Sequence, residues 1–353
     1  MKTMIFPLLM VGVLGVAEAR ECPTSSRLIR ISATGDVLVH KPLYENAIGH
    51  QKRFRALWSD LLPVLQSADY TVANLEGPVA PGVAVGGKAV PDVGFVHDGR
   101  VYSGTNMIFN YHPHLLTDLK ASGVDLVTIA NNHTLDRGAL GVDRTVENLE
   151  KSGMEFAGIR SRGSSESTAR VVKIKGARFG FIACTEMTNG MKDNFNQVTK
   201  CGSGEVLKMI SDLKSRTDGV IVFPHWGDEY QGRPNSRQRS WAQQWVKAGA
   251  MAIIGNHPHV LQTVEWIARP SGGQAVVVYS LGNFVAAQGA FEKRLSAIAH
   301  LDFGVTSQGL VVEQFSYTPT IRPRGSIAHL RADSDKTARL AAEKQLGPIR
   351  CLN

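Results

Sequence analysis

The sequence predicts an α/β protein built as a layered sandwich, and two features of its pattern indicate that fold class. Short apolar runs rich in Val and Ile alternate with segments whose apolar residues recur at helical spacing. Two further pairs of runs, near 170–183 and 297–317, are typical of antiparallel hairpins. Strand–helix units combined with hairpins favour stacked layers, since each element must bury its apolar face against another.

In the first half of the chain, the elements follow in a regular order. Predicted strands span residues 28–34, 69–73 and 124–130, and predicted helices span 51–68, 113–122 and 138–152. The helix over 51–68 is interrupted by Pro63. Residues 78–105 are rich in Gly, Pro and Val without periodicity, which predicts a long surface loop of the kind that often covers a functional site.

The second half continues with the same kinds of element. Predicted strands span 154–157, 170–175, 178–183, 219–223, 250–254, 275–279, 297–303 and 309–317, and predicted helices span 204–215, 236–248 and 331–345. No internal repeat or linker divides the chain. We therefore expect one domain over 20–353, with a C-terminal helix and tail over about 320–353.

The N-terminus has the features of a secretory signal peptide over residues 1–19. Lys2 supplies a positive start, residues 5–16 are apolar, and Ala17-Glu18-Ala19 resembles a cleavage site. The apolar stretch is short for a membrane span, although an uncleaved anchor is the alternative. We therefore expect export to the periplasm or cell surface.

The charge of the chain favours anionic partners over nucleic acid. The formal net charge is +8, and removal of Lys2 and Glu18 with the signal peptide leaves it unchanged. A basic exported protein suits anionic polymers, lipid head groups or phosphorylated substrates. A solvated surface without a partner is the alternative. No run of consecutive Lys or Arg and no basic–aromatic interleaving points to nucleic acid.

The cysteines predict disulfides rather than a metal site. The four cysteines are an even number, and none has the C-x-x-C spacing of a zinc knuckle. In an oxidising compartment we expect pairs. Of the three connectivities, we favour Cys184–Cys201, which closes a local loop, with Cys22–Cys351, which joins the two ends.

Polar groups follow six predicted strands at the point where each one ends. They are Asp36; Glu76; Asn132 with His133; His225 with Glu229; His257 with His259; and Asn283. Ligands of open α/β sheets bind beyond the carboxyl ends of strands. These endings also have structural alternatives. Asn131-Asn132 could form a turn, with Asp136 as a cap before a helix that starts at Gly138. Asp36 or Asn74 could cap a helix, and His225 could be a core histidine. Six such endings on one rim are not explained by those alternatives.

The residue types predict a pair of metal ions. Imidazole, carboxylate and amide ligands together suit Mn, Fe or Zn. His257 and His259 would face one way in an extended segment, so each imidazole would bind one of two adjacent metals. Glu76 would bridge the pair, and His133 would protonate a leaving group. This layout predicts hydrolysis of a phosphoester or a similar acyl derivative.

An ordered set of motifs resembles the CapA family of poly-γ-glutamate capsule biosynthesis proteins, whose fold is similar to that of the calcineurin-like metallophosphatases. The motifs are Gly35-Asp36, Asn74-Leu75-Glu76, Ala130-Asn131-Asn132-His133, His225-Trp226-Gly227, His257-Pro258-His259 and Ser280-Leu281-Gly282-Asn283-Phe284. The resemblance covers about 29–284. It implies a four-layer α/β/β/α sandwich of metallophosphatase type with two divalent metal ions.

Individual roles follow from the same resemblance. It implies that the metal ligands are Asp36, Glu76, Asn132, His225, His257 and His259, with His133 as the catalytic histidine. Asn131, Asp136, Glu229 and Asn283 would bind substrate or orient the ligands. Leu38 stands where metallophosphatases carry a histidine ligand, and the spacing of His40 does not replace it. One metal would therefore be a ligand short.

Two functions compete on this evidence from the residues. The first is a metal-dependent hydrolase acting on a phosphoester or an envelope polymer, indicated by His133 and the histidine set. The second is a non-catalytic component of a polymer synthesis or export assembly, which holds a polyanion beside a membrane-bound synthase. Leu38 and the basic charge favour the second. A further His112-Pro113-His114 segment precedes a helix, so we expect a surface or capping role for it.

Overall fold

In the computed structural model of the chain, residues 27–307 and 309–351 are described. The strands are β1 Leu28–Val37, β2 Tyr70–Leu75, β3 Ser103–Thr105, β4 Ile108–Asn110, β5 Leu126–Thr128, β6 Glu155–Ala157, β7 Arg170–Ile174, β8 Ala177–Thr185, β9 Gly219–His225, β10 Ala252–Ile254, β11 Val264–Ala268, β12 Gln274–Val278, β13 Leu295–Thr306, β14 Gly309–Ile321, β15 Leu330–Arg331 and β16 Arg350–Cys351. The α-helices are α1 Lys41–Gly49, α2 Leu62–Leu65, α3 His114–Ala121, α4 Gly138–Ser152, α5 Glu205–Lys214, α6 Ser236–Ala248, α7 Phe291–Arg294 and α8 Lys336–Leu346.

Two mixed sheets and one small hairpin contain these strands. The first sheet has the order β15–β14–β13–β1–β2–β5–β6, with β16 paired to β14. The second has the order β11–β12–β10–β9–β8–β7, and β3 pairs only with β4. The strands β1, β2, β5 and β6 are parallel, as are β8, β9, β10 and β12. Each sheet therefore has a block of strands whose carboxyl ends lie at one edge.

The two sheets pack against each other through aromatic side chains. Phe179 of β8 contacts Phe303 of β13 with ring centroids 5.2 Å apart, and Phe181 stacks on Tyr70 of β2 at 5.4 Å. Apolar residues of α5 and α6 pack on the second sheet in a separate cluster, while α1, α3 and α4 contribute to the cluster around the first sheet. The predicted α/β class is confirmed, and this arrangement agrees with the predicted α/β/β/α layering.

The helix predictions are right where the sequence carries clear capping residues. The bounds of α4 and α6 match the predicted helices over 138–152 and 236–248. α6 begins with a capping box, in which the Asn235 and Gln238 side chains each accept a hydrogen bond from the other's backbone N–H. α4 ends at Gly153, whose left-handed conformation terminates the helix.

The predicted helix over 51–68 is wrong in its bounds and its form. The α-helix α1 lies before it, Arg53–Leu61 is a 3-10 helix, and only Leu62–Leu65 is α-helical. Trp58 leaves helical geometry at φ −141°. Pro42 and Pro63 each lie in the first turn of a helix, where the missing N–H breaks no bond. Both prolines therefore lie at the starts of helices, and the apolar spacing of the sequence did not reveal these two helix starts.

Residues 78–105 form a loop, as predicted, but much of that loop is inside the protein. Val79, Val83 and Val101 are buried. The loop ends in β3, which the pattern missed together with its partner β4. The strand β11 was also missed, and it lies antiparallel at the edge of the second sheet. Only Ile267 of β11 is buried, so the strand has neither the buried apolar run nor the clear alternation that would mark it in the sequence.

One of the two expected disulfides is confirmed, because Cys184 and Cys201 are bonded. Both cysteines lie in the apolar cluster that α5 and α6 cover. The predicted signal peptide, residues 1–19, and Cys22 of the second expected pair lie outside the described residues. Within 27–307 and 309–351, no helix combines the length and the apolar character that crossing a bilayer requires.

Replacing both cysteines, Cys184→Ala with Cys201→Ala, is expected to lower the free energy of unfolding by about 3 kcal/mol. The bond closes a loop with a sequence separation of 17 residues, and a loop of that length loses about 3 kcal/mol of chain entropy in the unfolded state. Urea denaturation measures the difference. Equal stability, with free thiols at both positions in the wild-type protein, would contradict the assignment.

The buried His300 is expected to make the fold less stable as the pH falls from about 6.5 towards 4. Burial, reinforced by Arg30, lowers the pKa of His300 to about 4, and Ser32 and Thr318 contact its two ring nitrogens. The unfolded chain binds this proton below about pH 6.5 and the folded chain does not, so the free energy of unfolding falls by up to roughly 1.4 kcal/mol per pH unit.

The measurement is urea denaturation between pH 4 and 7 with a chelator present. His300→Gln should flatten this part of the profile, because the substituted side chain does not titrate. His50 is exposed at the end of α1, so His50→Gln is the matched control and should keep the wild-type slope. A slope in His300→Gln equal to that of wild type would rule out this explanation.

Candidate metal centre

The ends of the two parallel blocks meet at one buried centre. Asp36 lies near the end of β1, Glu76 follows β2, and His225 ends β9. The Asp36 N–H donates to the carbonyl of Gly282, beyond β12, at 3.0 Å. A Cβ at Gly35 would lie 2.0 Å from that same carbonyl oxygen. Only glycine at position 35 therefore lets the edge of one sheet approach the other this closely.

Two overlapping groups of side chains at this centre have the spacing of metal ligands. Asp36, Glu76 and His259 form the first group, and Glu76, His225 and His257 form the second. Within each group, the candidate ligand atoms all lie within 4.8 Å of one another. Glu76 belongs to both groups. It therefore has the place of a carboxylate shared by two cations.

The first group is built around the two carboxylates. Nδ1 of His259 lies 3.1 Å from Oδ2 of Asp36, and Nε2 of the same ring lies 3.9 Å from Oε1 of Glu76. Ligand atoms that each lie about 2 Å from a shared cation are typically separated by about 3–4 Å. Only one nitrogen of a ring binds a given cation, so the 3.9 Å separation of Nε2 from Glu76 is the distance to compare with that range, while Nδ1 contacts Asp36. No further His, Cys, Asp or Glu joins this group in the described chain.

The second group contains a fourth candidate ligand. Nε2 of His225 lies 3.5 Å from Oε1 of Glu76, 3.2 Å from Nδ1 of His257 and 2.9 Å from Oδ1 of Asn132. Asn132 follows β5 and so comes from the same edge of the first sheet as Glu76. Two imidazoles, an amide oxygen and a carboxylate therefore surround one point, which is a donor set suited to Mn, Fe or Zn.

Buried atoms without partners indicate that these residues fit a cation. Glu76 is fully buried, and neither of its carboxylate oxygens accepts a hydrogen bond. Nε2 of His259 and Nε2 of His133 are likewise buried without partners. A buried polar group without a partner costs about 1–3 kcal/mol, and a charged one costs more. Divalent cations at the two groups would remove that cost for the ligands.

The environment shifts the pKa values of the candidate ligands in both directions, so that metal binding would displace protons from Glu76 and His259 but not from His225 or His257. Desolvation raises the pKa of Glu76 to about 8, and the charge of Asp36 acts in the same direction. Desolvation lowers the pKa of His225 and of His257 to about 3, which leaves both rings neutral near pH 7 with lone pairs available. Burial opposes protonation of His259, but Glu76 and Asp36 outweigh it and raise its pKa to about 9.

His257 and His259 reach the centre from a strained turn. Their φ angles are 100° and 58°, a region that residues other than glycine rarely occupy. The prediction that they share a face of an extended segment is therefore wrong. Each ring nevertheless lies in a different ligand group, with ring centroids 6.0 Å apart. Backbone strain of this kind costs about 1–3 kcal/mol per residue and is concentrated at functional sites.

His133 lies beside the second group, held by a buried hydrogen bond. Its Nδ1 donates to Oδ2 of Asp136 at 2.8 Å, which leaves Nε2 free. Burial lowers the pKa of His133, but the hydrogen bond and charge of Asp136 outweigh it and the pKa is raised overall. Asn131 fixes the turn, since it accepts from the His133 N–H and donates to the carbonyl of Leu75.

Asn74 supports the first group, although sequence reasoning assigned it no role at the centre beyond a possible helix cap and a place in the Asn74-Leu75-Glu76 motif. Its Nδ2 donates to Oδ1 of Asp36 at 2.7 Å and lies 3.4 Å from Nδ1 of His225. The hydroxyl of Thr128 donates to its amide oxygen. The available signal was its place two residues before Glu76, because Asn74 lies within β2 itself and not at the start of a helix.

Arg137 was given no role from the sequence, yet its guanidinium joins the loop over 78–105 to the His133 turn by hydrogen bonds. This buried guanidinium donates to the carbonyls of Val83 and Val101 and to the hydroxyl of Ser103. Burial lowers its pKa to about 10, which still leaves it charged at neutral pH. A buried charge that binds three loop groups positions that loop tightly.

The remaining predicted residues lie around the centre. Glu229 is half-buried and lines a cavity with His133. Asn283 donates to the carbonyl of His259 at 3.2 Å and so orients that strained residue. Leu38 is buried, and Nδ1 of His40 contacts the Leu38 carbonyl at 3.0 Å. In the described chain, neither residue joins a ligand group.

The His112-Pro113-His114 segment lies at the start of α3, away from both ligand groups. Nδ1 of His112 accepts from the His114 N–H at 3.2 Å, and the two rings lie 4.3 Å apart. This contact is the capping role that the sequence predicted.

Comparisons with known proteins agree with the motifs. The family model of the bacterial capsule synthesis protein PGA_cap matches residues 30–288. The PGA biosynthesis protein CapA of Bacillus subtilis (strain 168) is 27% identical over 93% of this chain and 81% of its own length. The capsule biosynthesis protein CapA of Bacillus anthracis is 27% identical over 76% of this chain and 62% of its own length. Among solved structures, the calcineurin-like phosphoesterase YfkN from Bacillus subtilis is 15% identical, with a TM-score of 0.47 over 91% of this chain and 99% of that chain.

Titration with Mn²⁺, Fe²⁺ or Zn²⁺ is expected to show a tighter and a weaker site. The second group has four candidate ligands and the first has three. His257→Ala should abolish the tighter event and His259→Ala the weaker one. Glu76→Gln should weaken both by more than about tenfold, since even a hydrogen-bond partner of a ligand is worth about 10- to 100-fold.

Calorimetry and elemental analysis of the purified protein measure these effects. His114→Ala is the matched control, because that histidine lies outside both groups, and its metal content should equal that of wild type. Unchanged metal content in the His257→Ala, His259→Ala double variant would contradict the ligand assignment.

Proposed function

The chain belongs to the PGA_cap family of bacterial capsule synthesis proteins, and from that premise we propose that it is a metal-dependent hydrolase. Its substrate is a phosphoester, or a similar acyl derivative, of poly-γ-glutamate capsule or envelope polymer biosynthesis. One observation carries the proposal. The two ligand groups share Glu76, and the residue after the candidate ligand Asn132 is the acid–base candidate His133, whose Nε2 is buried without a partner.

Each residue of the centre has a role in the proposed hydrolysis. Asp36, Glu76 and His259 would hold one divalent ion, and Asn132, His225 and His257, with Glu76, would hold the other. Bound divalent ions supply a water nucleophile at neutral pH and stabilise charge on the phosphoryl oxygens. Manganese, iron and zinc are the ions that suit this donor set.

His133 acts as the general acid in this proposal. The bond from phosphorus to the oxygen of the water forms, and the bond to the leaving oxygen breaks. The leaving oxygen takes a proton from Nε2 of His133, so that the products are a phosphate and an alcohol. The attacking water loses a proton to solvent, and His133 takes up a proton from solvent before the next turnover. Asp136 holds the imidazole through Nδ1 at 2.8 Å and favours its protonated form. Asn131 fixes the turn on which both residues lie.

The place of action that we propose is the periplasm or cell surface. The signal-like pattern of residues 1–19 supports export. The Cys184–Cys201 bond also supports it, since disulfides persist mainly in oxidising compartments. The relatives in Bacillus carry the names PGA biosynthesis protein and capsule biosynthesis protein, which supports a role in polymer biosynthesis.

Leu38 favours a second candidate function. With an apolar, buried residue at this position, the first group has only three ligands. A protein with one weakly bound ion would serve as a non-catalytic component that holds a polyanion beside a membrane-bound polymer synthase. The net charge of +8 supports that alternative.

Substitution of His133 separates the two functions. With 4-nitrophenyl phosphate as substrate, His133→Ala is expected to lower kcat by about 10²- to 10⁴-fold, the usual contribution of a general acid. Metal content should stay at the wild-type level, because Nε2 of His133 belongs to neither ligand group. His50→Ala, on the exposed surface, is the control and should retain full activity. Equal rates for His133→Ala and wild type, or no activity in metal-loaded wild type, would favour the binding function.

A further inference from the structure

A cavity of about 490 Å³ opens directly beside His133. Its floor contains the polar side chains of the candidate centre, namely Asn132, His133, Asp136 and Glu229. Its walls come from three separate segments: the loop over 78–105, the turn between β3 and β4, and the irregular segment after β8. The cavity therefore lies on the side of the centre where the proposed general acid would meet a leaving group.

The walls of this cavity are apolar and exposed. Val85, Met107 and Met191 line it, and their side chains are 44%, 46% and 45% accessible to solvent. Ile108 adds a further apolar contact. Single exposed apolar residues are ordinary, but their convergence on one concave surface marks a binding site. Methionine suits such walls because its flexible, polarisable side chain adapts to apolar ligands.

The walls are held in place by hydrogen bonds to the His133 turn. The backbone N–H of Phe109 donates to Oδ2 of Asp136 at 2.7 Å, the same oxygen that accepts from His133. Arg137 ties the loop over 78–105 to this turn. The wall at Met191 is instead held within its own segment, where the Met191 carbonyl accepts from the Thr188 hydroxyl at 2.7 Å. The apolar surface is therefore pre-formed around the acid–base pair.

The charge of the cavity excludes an anionic occupant. Among the lining residues of the described chain there is no Lys or Arg, while Asp136 and Glu229 are acidic. The nearby Lys293 lies over the ring of Tyr230, 3.2 Å from its centroid, and neither residue lines the cavity. An anionic polymer chain placed here would meet the two carboxylates, while the protonated ring of His133 is already paired with Asp136.

We propose that this cavity binds the apolar part of the leaving group, so that the substrate is a phosphoester of an aryl or alkyl alcohol. The inference rests on the hydrolase function proposed above and names its substrate class. The apolar group packs on Val85, Met107 and Met191 while its oxygen faces Nε2 of His133. The anionic polymer chain itself does not occupy this side of the centre.

Two measurements on the metal-loaded full chain test the cavity. The first is binding of 1-naphthol, followed by NMR of methionine methyl groups, which does not depend on catalysis. We expect 1-naphthol to shift the methyl signals of Met107 and Met191. The Met107→Gln, Met191→Gln double variant keeps side-chain length but removes apolar surface, and should weaken binding by about tenfold. Leu340→Gln changes an apolar residue of α8 that is 53% exposed, and should bind as wild type does.

The second measurement compares kcat/KM for three phosphoesters with different leaving groups. 1-Naphthyl phosphate and hexyl phosphate provide aryl and alkyl groups, and phosphoglycolate provides an anionic one. We expect both apolar esters to exceed phosphoglycolate by at least about tenfold, with the preference reduced in the double methionine variant. The apolar ester whose kcat/KM falls more in the double methionine variant identifies the aryl or the alkyl class.

The outcomes separate this inference from the hydrolase function. Activity without preference for the apolar esters, or naphthol binding that the double methionine variant leaves unchanged, would overturn the inference alone. Naphthol binding at the methionines without hydrolysis of any ester would support the apolar site and overturn the hydrolase function. Absence of methyl shifts with 1-naphthol would reject the cavity as an apolar site.

Discussion

The buried carboxylate of Glu76 is the constraint on which the rest of the centre depends. It is fully buried, and neither of its oxygens has a hydrogen-bond partner. A charge in that state is tolerated only when an opposite charge lies close to it. Protonated His259 supplies that charge when no metal is bound, and divalent cations would supply it instead once His259 binds as a neutral ring. The surrounding residues are placed so that Glu76 faces two sets of ligands at once.

That placement requires the edges of two sheets to meet, which imposes a steric restriction and unfavourable backbone conformations on nearby residues. Gly35 admits the carbonyl of Gly282 at a distance that any side chain would block. His257 and His259 adopt left-handed backbone conformations, each at a cost of about 1–3 kcal/mol. Asn283 holds the carbonyl of His259 and thereby fixes the turn. The close packing of the two sheets offsets the free-energy cost of this backbone strain.

The same turn that carries His133 also organises the approach to the centre. Asp136 accepts from the imidazole and from the backbone of β4, and Arg137 binds the long loop over 78–105. The same turn therefore positions His133 through Asp136 and holds two of the apolar walls, β4 and the loop over 78–105. These hydrogen bonds place the proposed general acid next to the surface that is proposed to bind the leaving group.

The sequence by itself determined the α/β class, the strand ends and the ligand types, because burial of apolar runs and the donor chemistry of Asp, Glu, Asn and His are local properties. The bounds of α4 and α6 followed from the sequence as well, and the structure places Gly153 at the end of α4 and a capping box at the start of α6. The tertiary structure decided which candidate ligands lie within reach of one another, the turn at His257, the contacts of Arg137 and the form of the segment over 51–68. Those features depend on contacts between residues distant in sequence, such as Asp36 with His259, and such contacts leave no periodic pattern in the chain.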